Sequence, residues 1–530
     1  MTRPPVCKNI CIAFLTMFLL GPGVHAQTPL GPSYLQNELR SPAIGSFFSK
    51  QQLAKLEVFY AVLNYNPVWL RKENRLLLES LIRLIGCAEY DALNADDYAA
   101  KDITDYLCFS KVLPAAKDSV VLELRISMAA IDFFHDLKFG NHPPEFGYAG
   151  FAPADDDRFL ITLVAQHVNE RALHILPAKL YSQMPEVVTL TGKLGEMLDK
   201  TQRMAGWDPV INSNEPSNSN TPLVIKLYSL GIIDDQNAKL ADTVWVQKIK
   251  AVQRMFNVQA DGKMGKQTIQ LLNVPVAMRI RELSRSINYY KWLSARAAIQ
   301  RLIVVNIPSA RLAVYDHDTT VLAMRVIVGK TSTPTPTLTS VVDKLVLYPF
   351  WTVPHSIATK ELLPVFKRDP DYVQNGNYQV LSRAGKLVNP RSINWHNYNA
   401  SNFPFTIRQS TGCDNALGLL KLDFENPYGV YLHDTPVKIL FASSNRFLSH
   451  GCMRMEKPFE MGRLLLDGDN RAIDTLTEKG CLKNQAPIVV QAKIKMPVVV
   501  WYNTVTVNPA GFAVFHKDIY QKLPWLNNKQ

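Results

Sequence analysis

The hydrophobic period of this chain changes near Arg301, and that change limits what it can fold into. Upstream, "QQLAKLEVFYAVLNYNPVWL" and "ENRLLLESLIRLIGCAEYDALNADDYAA" place apolar residues three and four apart, the spacing of a helix face. Downstream, "RLIVVNIPSARLAVYDHDTTVLAMRVIVGK" has β-branched runs broken at Pro308-Ser309 and at "DHDTT", the signature of strands and hairpins. At 530 residues the chain is too long for one ordinary core. The expected fold class is therefore multidomain α+β, with helical segments first and a mainly-β domain at the C-terminal end.

Local signals divide the chain further. Residues 1–26 carry Arg3 and Lys8, a short apolar run from Ile10 to Leu20, and Val24-His25-Ala26, the order of a cleavable signal peptide. Residues 27–221 form an expected helical scaffold, which closes on the polar, Asn/Ser/Pro-rich "INSNEPSNSNTP" at 211–222. Residues 222–276 read as a small module of three helices, with a tight turn at Asp261-Gly262, and 277–300 as a helix returning to the scaffold. The β domain is expected over 301–505, interrupted by a polar, irregular stretch at 355–412. That stretch is too long for a loop inside a compact β domain and is read as an inserted cap. Residues 506–530 are expected to be a tail.

The leader places the mature chain outside the cytoplasm, in the periplasm or cell envelope. The net charge of +12 then favours a carboxylate-rich partner there. Nucleic acid is a poor candidate, because the chain is exported and its Lys and Arg residues are scattered. Of seven cysteines, Cys7 and Cys11 lie in the leader, and an odd number remains. An oxidising compartment then leaves at least one thiol unpaired. Cys87 and Cys108 fall in one helical region and are candidates for a disulfide, while Cys413 and Cys481 read as small buried hydrophobes.

The chemistry-bearing stretch is "GVYLHDTPVKILFASSNRFLSHGCMRM", Gly429 to Met455. Acyl transfer needs a nucleophile, a base and donors for the oxyanion. Cys452 supplies a thiol, which reacts as thiolate when its pKa is lowered. His433 closes a strand and can return beside it. Gly451 keeps a side chain out of the way, so that the amides of Cys452 and Gly451 can point at a substrate oxygen. Tyr431, two residues before His433, shares its strand face and can add a hydroxyl. One rival reading makes His433, His450 and Cys452 zinc ligands, but the His-x-Cys spacing is cramped and only Asp434 stands near to complete the shell. Another treats His450 and Cys452 as structural; it accounts for either alone but not for both histidines, Ser449 and Gly451 together.

These residues resemble the motif of the L,D-transpeptidases (YkuD-type domain), a histidine followed at a set distance by Ser/Thr-His-Gly-Cys. The stretches "VNIPSARLAVY", "RVIVGKTSTPTPTLTS", "YPFWTVPHSIATKELLP", "NALG" and "SHGCMRM" are similar to the large periplasmic subfamily, which has a helical scaffold, a binding module and a capped catalytic domain. Ala251, Val252, Gln253, Phe256, Asp261, Gly262, Gly265 and Thr268 resemble a peptidoglycan-binding module, with one extra residue before the phenylalanine. Arg454 stands where many family members have Asn and the large subfamily has Arg.

The resemblance implies that Cys452 attacks the third stem residue of a tetrapeptide and expels the terminal residue. An acceptor amine from another stem then gives a 3→3 cross-link. It implies His433 as base, with His450, Gly451, Tyr431, Ser449 and Arg454 shaping the oxyanion and substrate pocket and Trp351 walling the donor groove. No cofactor and no metal are implied. The partners are peptidoglycan stem peptides, with other wall-synthesis enzymes as further candidates. An L,D-carboxypeptidase using the same residues, or a non-catalytic wall-binding protein, are the alternatives.

Overall fold

The computed structural model describes residues 31–98, 103, 116–151, 157–212, 221–239, 241–483 and 485–527. The expected leader and most of the Asn/Ser-rich linker lie outside them. Among the described residues, no helix is long and apolar enough to cross a membrane.

Two cores organise the helical half. The first gathers apolar residues from Leu35 to Leu180, carried by helices that include Lys50–Val62, Arg75–Gly86, Ala116–Phe139 and Asp157–Asn169. Ser49 starts the Lys50–Val62 helix with a capping box, its hydroxyl accepting from the Gln52 amide while Gln52 accepts from the Ser49 amide. The Ala116–Phe139 helix ends at Gly140, whose φ of +80° favours glycine; a Cβ there would also lie 2.6 Å from the Asn288 carbonyl. The second core includes Ala92 and, from Met184 on, takes in the Pro185–Arg203 helix, the three-helix module and the Val276–Ala297 helix. The expected scaffold over 27–221 is therefore split near residue 184. Its last helix packs with the module, because Leu190, Leu194 and Met197 face Leu223, Leu227 and Leu283 in the same core.

The module consists of helices Thr221–Ser229, Asp242–Met255 and Lys266–Leu272. Gln253 is buried and ties its motif together. The side-chain amide donates to Asp261 Oδ1 (2.7 Å), the Lys263 carbonyl (3.0 Å) and Thr268 Oγ1 (3.3 Å), and its oxygen accepts from the Gly262 amide (2.8 Å). The Gln…Asp-Gly…Thr pattern thus acts as a loop clamp.

The Val276–Ala297 helix joins the two halves. Lys291 and Asn288 donate to the carbonyls of Asp91 and Ala92 (2.6 and 2.8 Å), and Ser286 donates to Asn503 Oδ1 (2.6 Å) on the β side. The β domain itself is a sheet closed on itself. Strand β1 (Tyr148–Ala149) comes from the helical half and adds in parallel to β5 (Leu338–Leu347). The ring runs β5, β10 (Leu420–Phe424), β11 (Leu432–His433), β13 (Met453–Met455), β4 (Thr319–Gly329), β3 (Arg311–Asp316), β2 (Leu302–Asn306) and β14 (Ile488–Trp501). Closure follows because β14 pairs with β2 on one side and β5 on the other. Strand β12 (Phe447–Ser449) pairs with β4.

Val498 and Val500 of β14 enter the interior, whereas Val499 and Trp501 pack outward among Tyr289, Tyr290 and Leu293. Burial on both faces is why "VVVW" reads as a continuous apolar run. Strand β14 runs over fourteen residues, with an irregular register between Gln491 and Met496.

Two further expectations change. The inserted segment has order of its own: a four-stranded sheet of β6 (Trp351–Thr352), β9 (Thr406–Gln409), β7 (Tyr378–Leu381) and β8 (Leu387–Val388), over a core of Phe366, Val380, Trp395, Phe403 and Ile407. Strands this short leave little period to read. The chain after residue 505 also packs as part of the domain. Strand β15 (Val505–Val507) crosses the expected boundary and pairs with β16 (Ala513–Phe515), and Asp518 accepts from the Tyr502 hydroxyl at 2.6 Å.

Cysteine usage is corrected as well. Cys413 and Cys481 form a disulfide with Cα atoms 5.1 Å apart, tying the exit of the cap to the end of the Arg471–Lys479 helix. Cys87 is disulfide-bonded, and Cys108 lies outside the described residues. Among the described residues the free cysteine is Cys452.

Candidate active site

Register brings the site together. Strands β11 and β13 run parallel with Leu432 opposite Met453 and His433 opposite Arg454. Tyr431 therefore stands beside Cys452, and the Met453 amide donates to the Tyr431 carbonyl at 3.0 Å. Strand β10 runs antiparallel on the other side of β11, with Lys421 opposite His433. Since side chains alternate between faces, Leu420, Leu422, Leu432, Met453 and Met455 fill the interior. Lys421, Asp423, Tyr431, His433, Cys452 and Arg454 share the outer face.

The loop before Cys452 is held from several sides. Ser449 Oγ donates to the Cys452 carbonyl (2.6 Å) and accepts from the Gly451 amide (3.2 Å). Gly451 has a φ of +114°, a conformation L side chains rarely adopt, although a Cβ there would meet nothing closer than 3.5 Å. Backbone conformation, not space, selects glycine. Its amide is engaged by Ser449 and does not point outward as the sequence reading expected. Thr333 Oγ1 donates to the Ser449 carbonyl (3.2 Å) and Thr335 Oγ1 to the Gly451 carbonyl (2.9 Å), while Tyr520 anchors the Gly329 carbonyl (2.5 Å). Nothing local in the sequence marks Thr333 and Thr335 for this work, and Tyr520 falls in the expected tail.

The two histidines differ in every respect. His433 is buried, and its Nδ1 lies 2.6 Å from the Asp434 carbonyl. A carbonyl only accepts, so Nδ1 carries the proton and Nε2 is left as the basic nitrogen. Burial, reinforced by the positive charge of Arg454, pushes the His433 pKa down to about 3, so the ring is neutral at ordinary pH. His450 is part-exposed and faces the cap, with Nε2 2.7 Å from Glu361 Oε1 and 3.3 Å from Lys330 Nζ. Their separate partners do not assemble a metal shell: among the described residues no group of three or more His, Cys, Asp or Glu has metal-holding geometry.

Burial raises the Cys452 thiol above its ordinary range, opposed by hydrogen bonds from the Tyr431 amide and hydroxyl and by the charges of Lys421 and Arg454. The expected low-pKa thiolate is thus not the resting form; thiol and imidazole, on neighbouring strands of one face, are both neutral. Burial, followed by the neighbouring Cys452, holds the Tyr431 phenol far above its usual range, so it remains a donor. Trp351, at the entry to the cap, is hydrogen-bonded to the Tyr431 hydroxyl. Cap, tyrosine and thiol thus form one chain of contacts.

Two clefts reach the neighbours of the thiol, one at Arg454 and one at Tyr431. A cleft of about 420 Å³ lies between the cap residues Tyr372, Tyr378 and Gln409 and the Thr435–Val437 loop, with Arg454 in its wall. The Arg454 Nε is buried there without a hydrogen-bond partner among the described residues. A second cleft of about 830 Å³ starts at Tyr431 and runs along Lys421 and Asp423. The arrangement supplies a thiol, a base with fixed tautomer, hydroxyl and amide donors, and a cation on each side, which is the equipment for acyl transfer.

Comparison with known proteins agrees in region. Residues 300–478 match the YkuD family, the L,D-transpeptidase catalytic domain, and residues 54–189 match a Scaffold domain. A Haemophilus influenzae protein provisionally named an L,D-transpeptidase is 41% identical over 164 residues, which is 31% of this chain and 33% of that protein. The chain thus spans about one third of the length of that relative. The mainly-β part of this chain thus carries the match to the L,D-transpeptidase catalytic domain of the YkuD family, and the match to a scaffold domain precedes it.

Proposed function

We propose that the protein is a peptidoglycan L,D-transpeptidase of the periplasm or cell envelope that joins stem peptides through an acyl group carried on Cys452. The observation that carries this reading is the shared outer face of β11 and β13, where Tyr431, His433, Cys452 and Arg454 lie side by side. His433 Nε2 takes the Sγ proton as sulfur attacks the carbonyl carbon of the donor's third residue. The Tyr431 hydroxyl and the Cys452 amide stabilise the oxyanion. As the tetrahedral adduct collapses, the C–N bond breaks and the leaving amine receives the proton from His433. A neutral thiol–imidazole pair suits this order, because the proton moves as the bond forms and no thiolate has to be stored in a buried site.

Arg454, with an unused N–H in the cleft under the cap, fits a carboxylate of the donor stem. The cap then orients the donor, through Trp351 on Tyr431 and Glu361 on His450. An acceptor amine attacking the thioester gives the 3→3 link, whereas water gives the L,D-carboxypeptidase product. The open second cleft beside Tyr431 favours the amine. Incubation of the protein with purified tetrapeptide muropeptides, followed by mass spectrometry, tests the reading. A cross-linked dimer lacking one terminal residue is expected. Tripeptide alone would make it a carboxypeptidase, and unchanged substrate would overturn the enzymatic reading.

A further inference from the structure

The chain after residue 505 returns to the turn that joins β4 to β5, and Tyr520 spans that turn. Its hydroxyl donates to the Gly329 carbonyl (2.5 Å) and accepts from the Thr335 amide (3.2 Å). The turn in turn grips the nucleophile loop on both sides of His450. The Ser449 carbonyl accepts from the Lys330 amide (3.0 Å) and from Thr333 Oγ1 (3.2 Å), and the Gly451 carbonyl accepts from Thr335 Oγ1 (2.9 Å). Thr335 is 0% exposed, so bulk solvent has no access to replace that last bond. Tyr520 is itself fixed. Its amide donates to the Tyr502 hydroxyl (2.9 Å), which donates to Asp518 Oδ1 (2.6 Å). Its ring stacks on Tyr502 with centroids 5.8 Å apart and meets Phe447, two residues before Ser449, at 6.5 Å.

The Gly451 carbonyl matters because of what shares its peptide plane. In a trans peptide the C=O and the following N–H point in opposite directions, so tethering the Gly451 carbonyl to Thr335 turns the Cys452 amide the other way. We propose that Tyr520 is a positioning residue for acyl transfer: by holding Thr335 against the Gly451 carbonyl, it aims the Cys452 amide at the oxyanion. The inference rests on the proposed function, in which that amide is an oxyanion donor. Tyr520 exchanges no proton with substrate and touches no reacting atom. Its contribution is a donor already oriented before charge develops, which costs no reorganisation when the carbonyl is attacked.

The test reads two reactions of the same sulfur in the full chain, both by intact mass. One is acylation by a tetrapeptide donor over a concentration series. The other is thiolation by methyl methanethiosulfonate, in which an S–S bond forms, methanesulfinate departs and no carbonyl oxyanion arises. Tyr520→Phe keeps the ring contacts and removes the hydroxyl. It should lower the saturating acylation rate about ten- to a hundredfold, part of what outright loss of an oxyanion donor costs. The half-saturating donor concentration and the thiolation rate should stay close to wild type. Thr335→Val should behave likewise, and Thr335→Ser, which keeps the hydroxyl, should retain most of the rate. The double variant Tyr520→Phe with Thr335→Val should lose little more than either alone, because both act through one hydrogen-bonded unit. Wild-type acylation in Tyr520→Phe, a loss confined to the half-saturating concentration, or equal losses of acylation and thiolation would overturn the inference. Should Tyr520→Phe not fold, the Thr335 pair decides: acylation as fast in Thr335→Val as in Thr335→Ser would overturn it. Absence of any acyl-enzyme in the wild type would instead overturn the proposed function on which it rests.

Discussion

One closed sheet presents two outer walls, and they are built to opposite rules. Along β2, β3 and β14 the outer face carries Leu302, Val304, Tyr315, Val499 and Trp501, all sealed in the second core with the Val276–Ala297 helix. Along β10, β11 and β13 the same face carries Lys421, Tyr431, His433, Cys452 and Arg454 beneath an inserted cap. Strand geometry is the same in both. What differs is the cover: a helix that never leaves demands apolar packing, while a cap over open clefts permits charged and titratable groups. The first wall should therefore govern stability and the second reactivity.

The largest effect belongs to the second wall. His433→Gln should lower single-turnover acylation by about two to four orders of magnitude, the range of general acid–base catalysis. His450→Gln keeps a donor for Glu361 and should retain more activity. Stopped reactions analysed by intact mass compare the two; a greater loss in His450→Gln would reverse the assignment.

For the first wall, Trp501→Ala should cost about 3–5 kcal/mol in denaturant unfolding, as large core truncations do. Trp501 is 1% exposed and packs against Tyr289 and Tyr290. The acylation rate per folded molecule should change little. A Trp501→Ala protein of wild-type stability with crippled acylation would dissolve the division between the walls.

The disulfide tests what anchors the cap. Cys413 and Cys481 are 68 residues apart, and replacing both with alanine should cost about 2–4 kcal/mol through the freer unfolded chain. Because the bond stands at the cap's exit, protease sensitivity should rise first near residues 410–414. Unaltered unfolding and proteolysis would show that the cap's own core is sufficient.

The smallest effect is a pH dependence shared between the walls. Burial depresses both His433 and His516 to about 3 in the folded protein. Their unfolded forms bind protons below about pH 6.5 while the folded ones do not, so stability is complete above that pH and falls as pH drops towards 3. His433→Gln or His516→Gln should each remove on the order of 1–2 kcal/mol of the stability lost between pH 7 and pH 5. Parallel urea titrations at the two pH values measure this; an unaltered pH slope in both variants would refute the depressed values.

Much of this division was legible in the chain. The period change at Arg301 separates helices from strands because burial on one helix face and on one strand face imposes different repeats. Cys452 and His433 stand out because few side chains can do their chemistry. Long-range pairing leaves no such local mark. Nothing in "KLDF" reveals that Lys421 lies opposite His433, and the two-residue strand β11 is too short to show a period. Cys413 and Cys481 looked inert because a disulfide is a matter of distance in space. Tyr520 and Asp518 looked like a tail for the same reason, since their partners at Gly329 and Tyr502 lie elsewhere in sequence. The raised Cys452 thiol was missed because burial, not residue type, decides it.

The central claim is that Cys452 carries the acyl group, and the most direct test is an intact-mass time course with a tetrapeptide donor, followed by peptide mapping. The account predicts one adduct per chain, with the mass of the donor less its terminal residue, mapped to Cys452 and absent in Cys452→Ala. An adduct that persists in Cys452→Ala, or maps to another residue in the wild type, would contradict it.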